Sequence, residues 1–360
     1  GHVSDGVVVS TLSAFSLELT VPGSVTPCAG TTVVAVAPTH RRQGFLRQLM
    51  MRHLEDVRDR GEAIAALWAS ESEIYGRFGY GRATRSAEIS IKHRSPALSR
   101  HAPQPVPVRL VDPDEARALV PSYHDRVRSG QPGMFKRSEA WWEHRIFSDL
   151  PSRRRGYTAA RWAVVDGSQG IEGYARYRVK GVPSEDNHPA SEMVIWELFA
   201  DSPEGWAGLW SYLLNHDLVR EFTARLRPVD DPIFDLLAGP RRAQLKVNDG
   251  IWVRLVDVPA ALESRSYQSD FTGVFTVHDP VGMSGGSYEL QASPEGATCR
   301  STNASGDIMI DIEDLGSIYF GEPSLRRLAR AGRVDGDPAV LKAADQAFGW
   351  EPRPWCPEVF

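Results

Sequence analysis

Cysteine is scarce in this sequence. The 360 residues include three, Cys28, Cys299 and Cys356, which lie far apart and form no CxxC pair. Such a set excludes a disulfide-stapled fold, argues against structural zinc and is typical of a reducing cytoplasm. The ten histidines form no HExxH motif and no metal-ligand spacing, so we expect no metal.

Long apolar runs are also missing. No stretch approaches the roughly 18 consecutive apolar residues of a membrane-spanning helix, and the first residues lack the parts of a secretion signal. Neither sign of charge dominates: the sequence contains 41 Lys and Arg residues and 46 Asp and Glu residues, which gives a formal net charge of −5. This balance argues against nucleic-acid binding and mildly favours a cationic substrate.

What is present is the pattern of a mixed α and β protein. Residues 7–10 and 14–19 read as strand, and residues 31–36 and 64–69 are apolar runs typical of buried strands. An amphipathic helix is predicted between the last two, with Thr39 as its cap. Its apolar face consists of Leu46, Leu49, Met50, His53, Leu54 and Val57.

A similar order recurs later in the chain. A Pro-rich polar segment over 94–106 is typical of a linker. Beyond it, two strand-like runs over 161–165 and 173–179 resemble an antiparallel pair, and a strand over 193–199 precedes a helix. We therefore expect a diverged structural repeat, followed from residue 251 by a third region.

The segment over residues 34–46 is the most informative for chemistry. A buried strand runs into a basic loop and then into the predicted helix. Backbone N–H groups at a helix N-terminus bind anions, and Arg41, Arg42 and Arg47 add positive charge beside them. Gly44 lets the backbone approach a diphosphate closely. The simpler alternative is a surface helix with solvated arginines.

The same segment resembles a known family. Its pattern, Val-x-Val-x-Pro-x-x-Arg-Arg-x-Gly, is similar to the acetyl-CoA-binding motif of the GCN5-related N-acetyltransferases, the GNAT superfamily. Arg41 and Gly44 match the Arg-x-x-Gly of the pyrophosphate loop, whereas Leu46 stands where a small residue is usual. The resemblance implies an acetyl-CoA site with a slightly more open loop.

Motifs spread along the chain narrow the resemblance. Residues 69–81, 252–262 and 315–321 and the terminal Phe360 resemble the Eis (enhanced intracellular survival) acetyltransferases. This resemblance implies an α+β fold, with two fused GNAT-like mixed-sheet units followed by a sterol-carrier-protein-like α/β domain.

The resemblance also implies domain boundaries and an assembly. The acetyl-CoA-binding GNAT domain would span 1–96, a second, cofactor-free GNAT-like domain 104–248, and the sterol-carrier-like domain 249–360. The second unit is expected to be empty because residues 201–206 contain no Arg-x-x-Gly. A homohexamer is implied, as are about 50 family residues, absent here, that precede residue 7 and contribute to the substrate pocket.

Two residues are implied to carry the proton transfers. Acetyl transfer from a thioester requires an amine to lose its proton and the departing thiolate to gain one. The resemblance implies that Tyr75 is the acid; its phenol, of pKa about 10, is protonated at neutral pH and can donate late in the reaction to the departing thiolate, whose thiol has a pKa of about 8.5, if it is held nearby. The C-terminal carboxylate of Phe360 is implied to be the base, with burial raising its pKa. Without the resemblance, core packing and a frayed terminus are the simpler interpretations.

The remaining site residues are predicted to bind. Backbone amides of Val34 and Val36 are expected to pair with the pantetheine arm, and either of them to donate to the oxyanion, although the side chains fit a core strand. The predicted acetyl-CoA-binding residues are Val34, Ala35, Val36, Arg41, Arg42, Gln43, Gly44, Phe45, Leu46, Arg47, Ser70 and Glu71. For the substrate, Glu358 is predicted to supply negative charge and Trp142 to line the pocket. The alternatives are a solvated carboxylate and a core tryptophan.

The sequence therefore predicts an acetyl-CoA-dependent N-acetyltransferase. Direct transfer to amines of aminoglycoside-type polyamines, and hence antibiotic resistance, is the leading interpretation. A protein or peptide lysine N-acetyltransferase is the alternative within the same class. A catalytically inactive lipid carrier, using an apolar groove of the third domain, is the alternative from another class. Arg41, Gly44 and Tyr75 together weigh against the carrier.

Overall fold

The computed structural model describes residues 1–92, 97–183 and 190–360. The chain divides into two compact units, each built from separate stretches of sequence. The first unit contains Gly1–Arg85, Arg128–Lys136 and Asp249–Phe360, and the second contains Ser86–Val127 and Arg137–Asn248.

The predicted three-domain division stays a prediction. Its boundary at residue 96 lies outside the described residues, as does the start of the predicted linker over 94–106.

Eighteen strands lie in the described residues. In chain order they are β1 His2–Ser4, β2 Val7–Val21, β3 Ser24–Val36, β4 Ile64–Trp68, β5 Gly81–Arg82, β6 Arg85–Lys92, β7 Arg109–Val111, β8 Arg161–Gly167, β9 Gly170–Val182, β10 Ala190–Ala200, β11 Val219–Arg227, β12 Ala243–Asp249, β13 Ile251–Leu255, β14 Phe271–His278, β15 Gly286–Ser293, β16 Gly296–Thr302, β17 Ile308–Asp311 and β18 Val334–Gly336.

Ten α-helices lie in the same ranges. They are α1 Phe45–Asp59, α2 Ser72–Tyr75, α3 Pro113–Arg128, α4 Glu139–Trp141, α5 Pro203–Leu214, α6 Ile233–Leu236, α7 Val258–Glu263, α8 Ile312–Ile318, α9 Leu325–Arg330 and α10 Pro338–Phe348. No helix in the described part of the chain is long and apolar enough to cross a membrane.

The first unit contains a six-stranded sheet in the order β1-β2-β3-β4-β13-β5. Strands β3 and β4 are parallel and are connected by α1, as predicted for the strand–helix–strand segment. Strand β13 lies between β4 and β5 and is antiparallel to both. All five of its residues are buried, as expected for a central strand. The sheet is therefore completed by a strand that follows β5 by more than 160 residues of sequence.

A second stretch also returns to this sheet. The backbone of residues 133–136 bonds to the edge of β2, with Thr20 N–H donating to Met134 O at 2.9 Å and Lys136 N–H donating to Glu18 O at 2.9 Å. Trp355 N–H in turn donates to Pro132 O at 2.9 Å. Gly133 has φ +96°, and a Cβ there would lie 2.8 Å from Trp355 O. Only glycine fits this crossing of the two segments.

Both faces of the six-stranded sheet are covered. On one face, α1 packs its buried Met50, Leu54 and Val57 in a cluster with Ala65 and Leu67 of β4. The opposite face shares a larger apolar cluster with a five-stranded sheet, ordered β16-β15-β14-β17-β18. The first unit therefore has a core that extends through both of its sheets.

The second unit contains a seven-stranded sheet in the order β12-β6-β11-β10-β9-β8-β7. Strands β8 and β9 pair antiparallel, as predicted, and β10 pairs parallel with β11 through the connecting helix α5. The order of β9, β10, α5 and β11 thus repeats that of β2, β3, α1 and β4.

His53 lies on the buried face of α1, with Nε2 2.8 Å from Oγ1 of Thr31. Burial, together with the charge of Arg60, lowers the pKa of His53 to about 4, against the opposing charges of Asp56 and Glu62. In the unfolded chain the imidazole titrates near pH 6.5. Between these values the unfolded state binds a proton that the folded state does not, so stability is lost as the pH falls from 6.5 towards 4.

We expect this single group to remove about 2 kcal/mol of stability between pH 7 and pH 5. The measurement is the fall in melting temperature over that interval for the wild type and for His53→Gln, which has no imidazole to charge. The variant is expected to lose less. Equal losses in both proteins would show that other groups cause the acid sensitivity.

Candidate active site

The parallel pairing of β3 with β4 ends before β3 does. It runs from Cys28–Ile64 to Thr31–Leu67, whereas β3 continues to Val36. Ala37 N–H donates to Val9 O of β2 at 2.8 Å. Hydrogen bonding alternates along a strand, so the N–H groups of Val34 and Val36 face the other side, where β4 has ended. An extended ligand can bond there as an added strand would.

A bulge accompanies this divergence. The pairing of β2 with β3 shifts between Thr11 and Ser13, and Val33 has φ +52°. The Thr11 hydroxyl donates to Val33 O at 2.8 Å. A β-branched residue in the left-handed region is a true outlier, and such strain concentrates at functional sites. The bulge bends β3 where it leaves β4.

The loop after β3 is not the predicted helix start. Thr39 lies in a separate 3₁₀ turn, Pro38–His40, and α1 begins only after Gly44. Thr39 is therefore not the cap: Arg42 and Gly44 have φ +62° and +86°, and these left-handed residues separate the turn from the helix. The N-cap residue of α1, Gly44, makes no side-chain cap hydrogen bond with the described residues, and the first turn contains no acidic residue.

Positive charge gathers at this uncapped helix start. Arg41, Arg42 and Arg47 are exposed, and none makes a hydrogen bond or ion pair through its side chain with any residue in the described ranges. The helix dipole repels cations here and attracts anions. The arrangement is therefore suited to a diphosphate held by backbone N–H groups and arginines.

The neighbouring residues of the loop anchor it. Leu46 packs against the apolar cluster under α1, and Phe45 lies half-buried with its ring centroid 4.7 Å from that of His2. Gln43 is exposed. A Cβ at Gly44 would meet nothing closer than Gln48, at 3.9 Å, so its positive φ alone favours glycine there.

Tyr75 ends the short helix α2 and is buried. Burial raises the pKa of its phenol, a hydrogen bond with the Ser70 side chain opposes that effect, and the charge of Glu71 raises the pKa further. Its ring meets that of Tyr80 edge-on at 6.3 Å. A phenol held protonated in this way can act as a proton donor.

Tyr80 is part of a buried polar chain. Its hydroxyl oxygen lies 3.2 Å from Oγ1 of Thr31, which also meets His53. Thr31 is the last residue of β3 that pairs with β4. These hydrogen bonds therefore join helix α1, the last paired residue of β3 and Tyr80, whose ring contacts Tyr75.

The C-terminal segment packs beside the same point. Trp68 Nε1 donates to Glu358 O at 2.7 Å, and Phe135 N–H donates to Oε2 of Glu358 at 3.2 Å. The ring of Phe360 lies edge-on to Phe135, with centroids 5.1 Å apart, and a Cβ at Gly30 would lie 3.2 Å from Cε2 of Phe360. The chain therefore ends against β3, next to its last pair with β4.

Glu358 is only 2% exposed. The alternative of a solvated carboxylate is therefore wrong, because the side chain is buried and accepts a hydrogen bond from the backbone N–H of Phe135. Substrate binding by Glu358 stays a prediction.

Trp142 belongs to the second unit and is mostly buried. The guanidinium of Arg137 lies 4.7 Å above its ring, and His124 meets it edge-on at 5.3 Å. Its predicted contact with substrate also stays a prediction.

In the second unit, the start of the connecting helix and the end of the parallel strand pairing differ from those of the first unit. Ser202 caps α5 by accepting from Gly205 N–H at 3.1 Å, and Glu204 lies in the first turn. Beyond the last pair of β10 with β11, Arg227 donates to Leu198 O at 2.7 Å. A capped, acidic helix start and a carbonyl already bonded to an arginine both disfavour a bound diphosphate.

Sequence analysis missed the residues that hold the C-terminus. Trp68 ends a buried strand just before Ser70, which is a weak signal. Phe135 follows a Gly-Gln-Pro-Gly run over 130–133, which marks a break in the chain but not what the next residues pair with.

Comparison with known proteins agrees with this geometry. Profiles described as acetyltransferase (GNAT) domain match residues 1–83 and 133–255, and a sterol carrier protein domain profile matches 258–357. An uncharacterised N-acetyltransferase of Streptomyces avermitilis is 38% identical, over 98% of this chain and 87% of that relative. The N-acetyltransferase Eis of Mycobacterium tuberculosis is 34% identical, over 95% of this chain and 83% of that relative.

A solved structure is similar over the whole chain. The crystal structure of Eis1 from Mycobacterium abscessus has a TM-score of 0.85 and 32% identity, and the match covers 100% of this chain and 90% of that one. The predicted fold class, two GNAT domains followed by a sterol-carrier-like domain, is confirmed.

The helix start generates a prediction about diphosphate binding. We expect the double variant Arg41→Ala/Arg42→Ala to raise the Kd for CoA at least tenfold, because it removes two charged donors beside an uncapped helix. Titration calorimetry with CoA measures this. Arg52→Ala is the matched control, since Arg52 lies on the same helix but is paired with Asp56. An unchanged Kd in the double variant would mean that these arginines are merely solvated.

Proposed function

The chain belongs to the Eis family of GNAT N-acetyltransferases, and on that premise we propose that it acetylates amines of aminoglycoside-type polycations by direct transfer from acetyl-CoA. The divergence of β3 from β4, beside an uncapped and basic helix start, is the observation that supports this most. It places strand amides that face away from β2 beside a basic helix start on the adjacent element, which suits a long molecule with a diphosphate at one end.

The residues present fit acetyl-CoA. Amides of Val34 and Val36 would bond to its pantetheine arm, and Gly44 with Arg41, Arg42, Gln43 and Arg47 would hold its diphosphate. The flanking Ala35, Phe45 and Leu46 would shape the loop, and Ser70 and Glu71 would meet the lower arm. When bound, acetyl-CoA supplies an activated acetyl group on a thiol leaving group. One of the amides of Val34 and Val36 would also donate to the oxygen that becomes negative during transfer.

Two groups of this chain would then move protons. Tyr75, kept protonated by burial, would give its phenolic proton to the departing sulfur. The carboxylate of Phe360, whose ring packs against Phe135 and close to Gly30, would take the proton of the attacking amine. Burial of its neighbours Trp355, Cys356 and Glu358 supports a fixed terminus.

A polycationic acceptor is supported by local charge. Glu71 and Glu73 are exposed around the start of α2, next to Tyr75. Glu358 and Trp142 remain the proposed substrate contacts.

The same proposal includes a homohexamer located in the cytoplasm. The exposed apolar side chains of Val7, Val8 and Phe15 on β2 support such an assembly.

The function is tested by following CoA release from acetyl-CoA with kanamycin, with a lysine peptide and with no acceptor. Release is expected chiefly with kanamycin, and Tyr75→Phe is expected to slow it by roughly 10²- to 10⁴-fold while CoA still binds. Preference for the peptide would favour a lysine acetyltransferase. No release with any amine would favour the inactive carrier. Full turnover by Tyr75→Phe would refute the acid assignment.

The terminal base makes a separate prediction. Added residues would move the carboxylate by roughly 3.3 Å each, beyond hydrogen-bonding reach, so a C-terminal tag and deletion of Phe360 should each abolish most turnover. Phe360→Leu should retain appreciable activity, because the carboxylate stays in place.

The measurement is kcat for each form at unchanged oligomer size. An N-terminally tagged protein is the matched control. Full activity in a homogeneous C-terminally tagged sample would show that the terminal carboxylate is not the base.

A further inference from the structure

The side chain of Arg254 is fully buried between the segment after Tyr75 and a loop of the sterol-carrier-like region. Its Nη1 donates to Phe78 O at 2.8 Å. The same guanidinium bonds both carboxylate oxygens of Asp279, at 3.2 and 2.8 Å. Arg254 comes from the middle of β13. One side chain therefore joins the backbone three residues beyond Tyr75 to a loop some 200 residues later in the sequence.

The contact leaves the Tyr75–Tyr80 segment little freedom. A Cβ at Gly79, which has φ +75°, would lie 1.8 Å from Nη1 of Arg254. A Cβ at Gly76 would lie 2.8 Å from Oε2 of Glu313. Tyr80 N–H donates to Tyr75 O at 3.2 Å and closes the segment on itself. The segment is thus shaped around Arg254 from one side and α8 from the other.

The Asp279 loop is equally fixed. The Asp279 carboxylate accepts from the backbone N–H groups of Val281, Met283 and Ser284 at 2.8 to 3.0 Å. Val281 and Met283 pack against the apolar cluster that contains Tyr75, Phe78 and Tyr80. Burial would raise the pKa of Asp279, but Arg254 and the loop amides lower it to about 2, so this carboxylate is charged at neutral pH.

A buried ion pair adds little net stability compared with well-packed apolar side chains. The pair instead fixes the positions of its neighbours, because the planar guanidinium donates at fixed angles to four oxygens, those of Phe78 O, the Asp279 carboxylate and Ser284 Oγ. Within the described residues its Nε has no hydrogen-bond partner, so the group is not fully satisfied by the fold.

We infer that Arg254, held by Asp279, is a positioning residue for the proton donor Tyr75, and that the sterol-carrier-like region is in this way part of the acetyltransferase site. The inference rests on the proposed role of Tyr75. Arg254 acts through the backbone of Phe78 and touches no reacting atom. Its loss should lower kcat, while the diphosphate site on α1 and therefore the KM for acetyl-CoA change little.

The experiment compares Arg254→Lys, Asp279→Asn and the control Arg265→Lys. Arg265 is a similarly buried arginine of the same unit, and it donates to Tyr319 O and Phe348 O. Arg254→Lys keeps the charge but loses the planar fork. Asp279→Asn keeps the shape and serves as the milder variant if the lysine does not fold. We expect kcat to fall at least tenfold in both, with the acetyl-CoA KM within threefold, and to hold within twofold in the control.

A second readout is independent of turnover. With 3-fluorotyrosine at position 75, the ¹⁹F resonance should shift or split in Arg254→Lys and stay unchanged in Arg265→Lys. In the double variant Tyr75→Phe/Arg254→Lys, kcat should be no lower than in Tyr75→Phe alone, because residues that act through one another are not additive.

Three outcomes would overturn the inference: folded Arg254→Lys and Asp279→Asn that keep kcat, a fall in kcat with an unmoved ¹⁹F resonance, or fully additive losses in the double variant. Failure of the proposed function looks different. Tyr75→Phe would then retain turnover, and the resonance would still report whether Arg254 positions residue 75.

Discussion

The end of the β3–β4 ladder at Thr31 and Leu67 is the constraint on which the site depends. Backbone N–H and C=O groups must be satisfied, so a strand that continues past its neighbour offers amides to whatever takes that neighbour's place. The bulge at Val33 turns the strand away, and the His53–Thr31–Tyr80 chain fixes where the turning begins. Tyr75 and the C-terminal segment both pack next to this point. An interruption in the sheet thus lies beside each of the elements to which the proposed function assigns a role.

The chain contains the same topology twice, and the comparison shows what the site requires beyond topology. In both units a helix and a further strand follow an antiparallel hairpin, the further strand pairs parallel with the second hairpin strand, and both members of this pair continue beyond their last pairing. The first unit leaves the helix start uncapped and surrounds it with arginines. The second closes its helix with Ser202 and uses Arg227 to bond a strand carbonyl beyond the last parallel pair. The two units therefore share a framework and differ in a few polar residues at the helix start and beyond the last parallel pair.

Local patterns predicted most of the secondary structure, because apolar periodicity and turn residues act within a few positions. The helix over Phe45–Asp59 and the strand at Ile64–Trp68 are of this kind. The basic loop before the helix was identified from its arginines and Gly44 together with the preceding strand and the family resemblance. Pairings between distant segments were not predictable. Nothing in the sequence of β13 says that it lies between β4 and β5, and nothing near Phe135 says that it meets Glu358. The predicted helix cap at Thr39 was wrong for a local reason: Arg42 and Gly44 have left-handed backbone conformations, so the helix begins only at Phe45.

The late entry of β13 has a consequence for how the protein is made. On the ribosome, β4 and β5 emerge long before β13, the strand that lies between them. The edge of β2 likewise stays unpaired until residues 133–136 have been synthesised. The first sheet therefore keeps open edges while the second unit is being synthesised, and unpaired edges invite association with other chains. Contacts so distant in sequence also slow folding, since the intervening loop must be closed before they form. The first unit is therefore the first to be started and the last to be completed.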